Sequence, residues 1–180
     1  MDEPTTGEPE ADRSRRRYVR ETVPVASIEY LPVFLRLESQ KIVVVGGGAV
    51  ALRKVRWLLR AGARPAIVAP TLHRQLARRA ARGEVVHLGG AFDPAQLEGA
   101  VAVIAATSDA EVNRAVSSAA RARNLPVNVV DDRDLSSFVF PAIIERAPIL
   151  VAVGTGANAP VLAQYYEEPD VTARRPPNMR

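Results

Sequence analysis

The sequence predicts an α/β protein built on a doubly wound parallel sheet, with a β appendage at its C-terminal side. Three observations carry that expectation. Val/Ile-rich runs alternate with segments of helical periodicity in the order βαβαβαβαβ. Hydrophobic residues make up 47% of the 180 residues but aromatics only 5%, so the core must be aliphatic, as buried parallel strands require. The first strand runs straight into a triple glycine, Gly46, Gly47 and Gly48, which permits a sharp strand-to-helix turn. Together these describe a Rossmann-like domain.

The elements follow in order. Residues 1–27 are rich in Pro, Glu, Asp and Arg and poor in core residues, which predicts a disordered extension. The main domain is expected over 28–136. Its opening stretch, EYLPVFLRL (29–37), is apolar but carries a Pro that opposes helix, and should lie against the sheet edge or begin the domain. KIVVVG (41–46) is an uninterrupted apolar run ended by Gly and reads as a buried central strand. AVALRKVRWLLRAG (49–62) places Val50, Val55, Leu58 and Leu59 at roughly helical spacing and closes on Gly62. RPAIVAP (64–70) predicts the second strand, and TLHRQLARRAARG (71–83) a helix opened by Thr71. EVVHLGG (84–90) predicts the third strand. DPAQLEGA (93–100) predicts a short helix capped by Asp93, with Pro94 at its first position. VAVIAAT (101–107), DAEVNRAVSSAARARN (109–124) and LPVNVVD (125–131) then predict a strand, an Asp-capped helix and a strand.

Beyond the sheet, SFVFPAIIER (137–146) and PILVAVGTG (148–156) form two apolar β-like runs. Their apolar content exceeds what an exposed hairpin tolerates, so 137–166 is expected to meet another subunit, with a helix beginning in APVLAQYY (159–166). Residues 167–180 are expected to form a disordered tail.

Composition removes several classes of function. The absence of cysteine rules out disulfides and thiolate metal sites and suits a reducing, cytoplasmic setting. No apolar run reaches the ~18 residues of a membrane span, and no apolar secretory segment opens the chain. The formal net charge of +4 includes an N-terminal cluster at Arg13, Arg15, Arg16, Arg17 and Arg20. No aromatic interleaving or reader motif accompanies it, so a solvated tail is expected rather than nucleic-acid binding. The two histidines, His73 and His87, form no cluster of metal-ligand type, and no metal site is expected. Neither a nucleophile elbow nor a P-loop lysine is present.

Two places remain for function. Gly46, Gly48 and Ala51 fit G-x-G-x-x-A between a strand and a helix, the pattern that turns the chain, admits a pyrophosphate to the backbone and packs helix on strand. The helix start at 49 would present free N–H groups to an anion. The second strand ends without the acidic residue that would hold a ribose, so this pattern leaves NAD and NADP undistinguished. Pro70 and Thr71 lie on that rim. Thr107 ends the fourth strand there, either as a cofactor contact or as a helix-entry residue. The second place is the end of the fifth strand, expected to be central, where Asn128 and Asp131 reach the edge at which α/β sheets bind ligands. In a partly desolvated cleft a carboxylate becomes a usable proton acceptor. Asp131 is read either in that role or as a turn residue.

The segments YLPVFLRL, VVVGGGAVALRKVRWLLRAGA, AATSDAEVNRAV, VNVVDD, SFVFPAIIER and GANAPVLA together resemble the siroheme-synthase N-terminal family. Its members are precorrin-2 dehydrogenases, and some double as sirohydrochlorin ferrochelatases. The resemblance runs from about Tyr30 to Ala163. It implies NAD-dependent oxidation of precorrin-2 to sirohydrochlorin, in a homodimer whose contact is the 137–156 hairpin. It places the essential Asp on Asp131 and the cofactor turn on Gly46, Gly47, Gly48, Ala49 and Val50, with Pro70 and Thr71 after the second strand. Arginines would steer a substrate bearing eight carboxylates, with Arg53 and Arg146 as candidates and Asn128 beside them. The departures are Gln164 where the family has a basic residue, Gly154-Thr155 where it often has two hydroxyl residues, and a helical domain expected to be truncated. Loss of that domain would favour the alternative of an NAD-binding module with impaired catalysis.

Overall fold

A sheet of five parallel strands forms the middle layer of the molecule, with helices on both faces. The computed structural model describes residues 30–146 and 148–154. The strands are β1 (Lys41–Val45), β2 (Arg64–Val68), β3 (Val86–His87), β4 (Ala100–Ala105) and β5 (Val127–Val129), in the spatial order β3-β2-β1-β4-β5. The helices are α1 (Ala49–Arg60), α2 (Arg74–Ala81) and α3 (Ala110–Arg121), with a 3-10 turn at Pro94–Leu97. A separate antiparallel pair, β6 (Ala142–Arg146) and β7 (Ile149–Val153), follows the sheet.

Strand alternation divides the core in two. Ile42, Val44, Ile67 and Ile104 face α1 and α2, where they meet Ala51, Leu52, Val55, Leu58 and Leu76. Val43, Val45, Val68 and Val103 face α3 and the 3-10 turn, where they meet Leu97, Val116 and Ala120. β1 is buried on both faces because every residue from Ile42 to Val45 is apolar. Each such side chain contributes ~1.5–3 kcal/mol relative to exposure.

Several expectations shift in detail. In α1 the buried face is Ala51, Leu52, Val55 and Leu58. Val50 is exposed because it sits in the first turn, facing away from the sheet. α2 is opened by His73 rather than Thr71, and the His73 Nδ1 accepts the Gln75 N–H at 3.2 Å. β3 shrinks to two residues. It is an edge strand with both side chains exposed, so little burial extends it. Pro94–Leu97 makes a tighter turn than an α-helix, but Asp93 caps it with a full capping box, as its sequence suggested. The fifth strand lies at the opposite edge of the sheet rather than in its centre. Residues 31–37 form no strand or helix, and of their apolar side chains only Leu37 packs on the core.

The boundary at 136/137 is not a break in packing. Phe138 and Phe140 pack on the α1–α2 side of the core, and Lys54 lies over the Phe140 ring at 4.2 Å. The β hairpin therefore begins only at Ala142. The extension expected over 1–27, the helix expected over 159–166 and the tail expected over 167–180 lie outside the described residues.

Candidate dinucleotide site

The carboxyl edge of the sheet is aligned by a staircase of backbone hydrogen bonds. The N–H of Gly46 donates to Val68 O at 2.8 Å, that of Ala106 to Val45 O at 2.7 Å, and that of Val130 to Ala105 O at 2.9 Å. Each strand thus hands its exit loop to the same rim. Glycine turn, Thr107 loop and Asp131 turn stand side by side, and two strand spacings separate first from last by about 10 Å.

A cleft of about 810 Å³ opens at this rim, within the usual ~300–1,000 Å³ of a small-molecule site. Gly46, Gly47 and Gly48 form its floor, Pro70 and Thr71 one wall, and Thr107 another. The three glycines do different jobs. Gly46 has φ +124°, and a Cβ there would stand 2.3 Å from Ala106 O. At Gly47 a Cβ would stand 2.0 Å from Thr71 O, and the Gly47 carbonyl takes the His73 N–H at 2.6 Å. At Gly48 a Cβ would meet nothing within 4 Å. The first two lock the turn to its neighbours, and the third leaves open space over the backbone.

The start of α1 completes the cleft. α2 and α3 are capped by side chains, whereas Gly48 at the N-cap of α1 supplies none, and no acidic residue occupies the first turn. The N–H groups of Ala49 and Val50 precede the first intrahelical bond, which runs from Leu52 N–H to Gly48 O. Free donors and an open approach at Gly48 fit the pyrophosphate of a dinucleotide.

Sequence reasoning missed part of this cleft. Gly90, Ala91 and Phe92 line it from the loop after β3, and Asp109 and Val112 from the start of α3. The Gly89–Gly90 pair at the end of the third strand was the available signal. Asp109 Oδ1 accepts the N–H groups of Glu111 (2.9 Å) and Val112 (3.1 Å). Asn113 Nδ2 donates to Thr107 O at 3.0 Å and so ties the Thr107 loop to α3.

Asp131 lies on the same edge, in a tight turn closed by Asp132 N–H donating to Val129 O at 3.2 Å. Its φ is +63°, a left-handed conformation that Asp tolerates better than most residues. It is exposed, so among the described residues nothing supplies the partly desolvated cleft expected for it: β5 is an edge strand with no further strand beyond it. The turn itself is firmly held. Ser136 Oγ accepts the Val129 N–H at 2.9 Å and donates to Asp132 O at 2.6 Å. Ser117 Oγ, from α3, donates to Leu135 O at 2.6 Å. Beside it, Arg114 has its pKa raised first by its hydrogen bond to Glu111, then by the Glu111 charge, against desolvation, with the charges of Asp109 and Asp132 adding to it.

Asn128 and the two arginines stand elsewhere. Asn128 is only 7% exposed, and its Nδ2 donates to Phe138 O at 3.0 Å. It braces the segment that follows, and its Oδ1 has no partner among the described residues. Arg53 lines a different hollow, on the outer side of α1. The Arg146 side chain lies outside the described residues.

A glycine turn, an uncapped helix start and a cleft at the carboxyl edge of a 3-2-1-4-5 parallel sheet define a Rossmann-type dinucleotide-binding domain. The family model described as "Putative NAD(P)-binding" matches residues 33–142. The chain belongs to that family. It is 56% identical over 137 residues to the siroheme synthase of Methylobacillus flagellatus, and 53% identical over 137 residues to that of Chromobacterium violaceum. Each match covers 76% of this chain and 29% of the relative, so the chain spans under a third of the length of these curated relatives. Among solved structures it resembles "SirC, precorrin-2 dehydrogenase", with a TM-score of 0.67 and 25% identity, over 77% of this chain and 68% of that one.

Proposed function

We propose that the protein is an NAD-dependent precorrin-2 dehydrogenase, oxidising precorrin-2 to sirohydrochlorin. The observation that carries this reading is the likeness to a precorrin-2 dehydrogenase over most of both chains. The sequence similarity to siroheme synthases supports it. Bound NAD+ supplies a hydride acceptor. The glycine turn and the first N–H groups of α1 would hold the cofactor's pyrophosphate, with Pro70, Thr71 and Thr107 in the walls of the same cleft. Asp131 Oδ takes up the proton that leaves the macrocycle as the hydride departs, and its fixed turn holds the carboxylate at the rim. Asn128 serves through the segment it braces.

The exposure of Asp131 favours a partner surface that closes over it. Ile149, Leu150 and Val151 of β7 are 62%, 48% and 43% exposed, more apolar surface than a solvated hairpin carries. This supports a homodimer joined through the hairpin. A cytoplasmic setting suits a chain without cysteine.

The test follows precorrin-2 and NAD+ by absorbance, with Asp131→Asn run beside the parent. Asn keeps the left-handed turn, so the variant should bind NAD+ as before and form no sirohydrochlorin. Turnover by the variant would remove Asp131 from the mechanism. NAD+ binding without turnover in the parent would leave a dinucleotide-binding module.

A further inference from the structure

A second hollow, of about 490 Å³, lies on the outer side of α1 and is lined by Arg53, Arg56, Trp57, Leu59, Arg60 and Arg79. It shares no residue with the dinucleotide cleft. Arg60 stands about 16 Å along α1 from the helix start at the glycine turn, at ~1.5 Å per residue.

Arg53, Arg56 and Arg60 fall on one face of α1, at spacings of three and four residues. Like charges so placed repel, and the protein neutralises them incompletely. Arg60 pairs with Glu145 and stacks at 5.3 Å on the Trp57 ring. Arg79 pairs with Glu84, but Glu84 also serves Arg82 at 2.5 Å. Arg56 Nη2 donates to the neutral Gln75 Oε1 at 2.9 Å. Arg53 has no ion-pair or hydrogen-bond partner among the described residues. Among the described residues, four guanidinium groups therefore share two carboxylates around one concavity. The two best-anchored, Arg60 and Arg79, fix its sides and leave Arg53 and Arg56 to a ligand.

We propose that this hollow is a binding site for a compact polyanion carrying several closely spaced oxyanions, of polyphosphate or polycarboxylate type. Planar guanidinium forks match such oxygens two at a time. The half-buried Trp57 forms part of its wall and lies under the Arg60 guanidinium at 5.3 Å. The site stands independently of the catalytic reading above.

Trp57 is the only tryptophan in the chain, so intrinsic tryptophan fluorescence reports on this hollow alone. The full-length protein, held at saturating NAD+ to occupy the glycine cleft, is titrated with sodium tripolyphosphate and, separately, with citrate in 150 mM salt. Saturable change in Trp57 fluorescence with at least one probe is expected, and the tighter of the two identifies the source class. The exposed double variant Arg53→Gln/Arg56→Gln should weaken binding at least tenfold with an unchanged circular dichroism spectrum. Equal affinity in the double variant would overturn the proposal. So would a response seen only when NAD+ is left out, or no saturable response to either probe at this salt.

Discussion

Gly46, Gly47 and Gly48 are adjacent and chemically identical, yet their surroundings assign them separate tasks. A methyl group at Gly46 or Gly47 would press into a backbone carbonyl, 2.3 Å and 2.0 Å away. Gly46→Ala or Gly47→Ala should therefore cost about 3 kcal/mol or more of stability, visible in urea denaturation. Gly48→Ala meets open space and should fold normally. It should still weaken NAD+ binding about tenfold, because the methyl stands where the pyrophosphate would approach. The sequence pattern named the first and third of these glycines. The role of Gly47 was not legible, because it depends on Thr71, 24 positions later, folding back onto it.

Helix ends show the same division between local and distant causes. Asp93 and Asp109 were readable as caps, since each acts on N–H groups two or three residues ahead. Asp109→Ala should lower stability by ~1 kcal/mol, read as a shift in the urea midpoint. The Thr107 loop should hold in this variant, because its bond to position 109 runs from the backbone N–H, which Ala keeps, to Thr107 Oγ1 at 3.1 Å. At the other end of α2, the hydrogen bond from Arg82 is the largest cause lowering the Glu84 pKa, with Arg79 adding to it against desolvation. A carboxylate lowered on folding adds stability above its unfolded pKa, and that contribution fades as pH falls through the folded one. Arg82→Gln should therefore move the Glu84 titration upward in an NMR pH series. The stability change should be small at so exposed a pair and smaller still in high salt. The stop of β5 at Val129 was less legible. Its neighbours are hydroxyl bonds from Ser136 and Ser137, which replace a further strand as partners for the edge backbone.

In the whole molecule, the parallel sheet carries glycine turn, Thr107 loop and Asp131 turn to one edge, while the hairpin leaves an apolar strip outside. If that strip joins two copies, Leu150→Glu should convert a two-chain mass to a one-chain mass in light scattering. Turnover should fall with it if the second copy covers Asp131. An unchanged mass in the variant would remove the hairpin from the contact.

The sequence by itself determined the alternation of strands and helices, the buried β1, the glycine fingerprint and the Asp caps. All of these are set by neighbours within a few residues, through periodicity, φ preference and local hydrogen bonds. Tertiary structure decided what depends on distant partners. It put β5 at an edge, turned Asn128 into a brace for Phe138, left Asp131 exposed and gathered Arg53, Arg56 and Arg60 around a hollow with Arg79 of α2. The physical reason is range. Backbone preferences act along the chain, whereas burial and charge pairing depend on which segments the finished fold brings face to face.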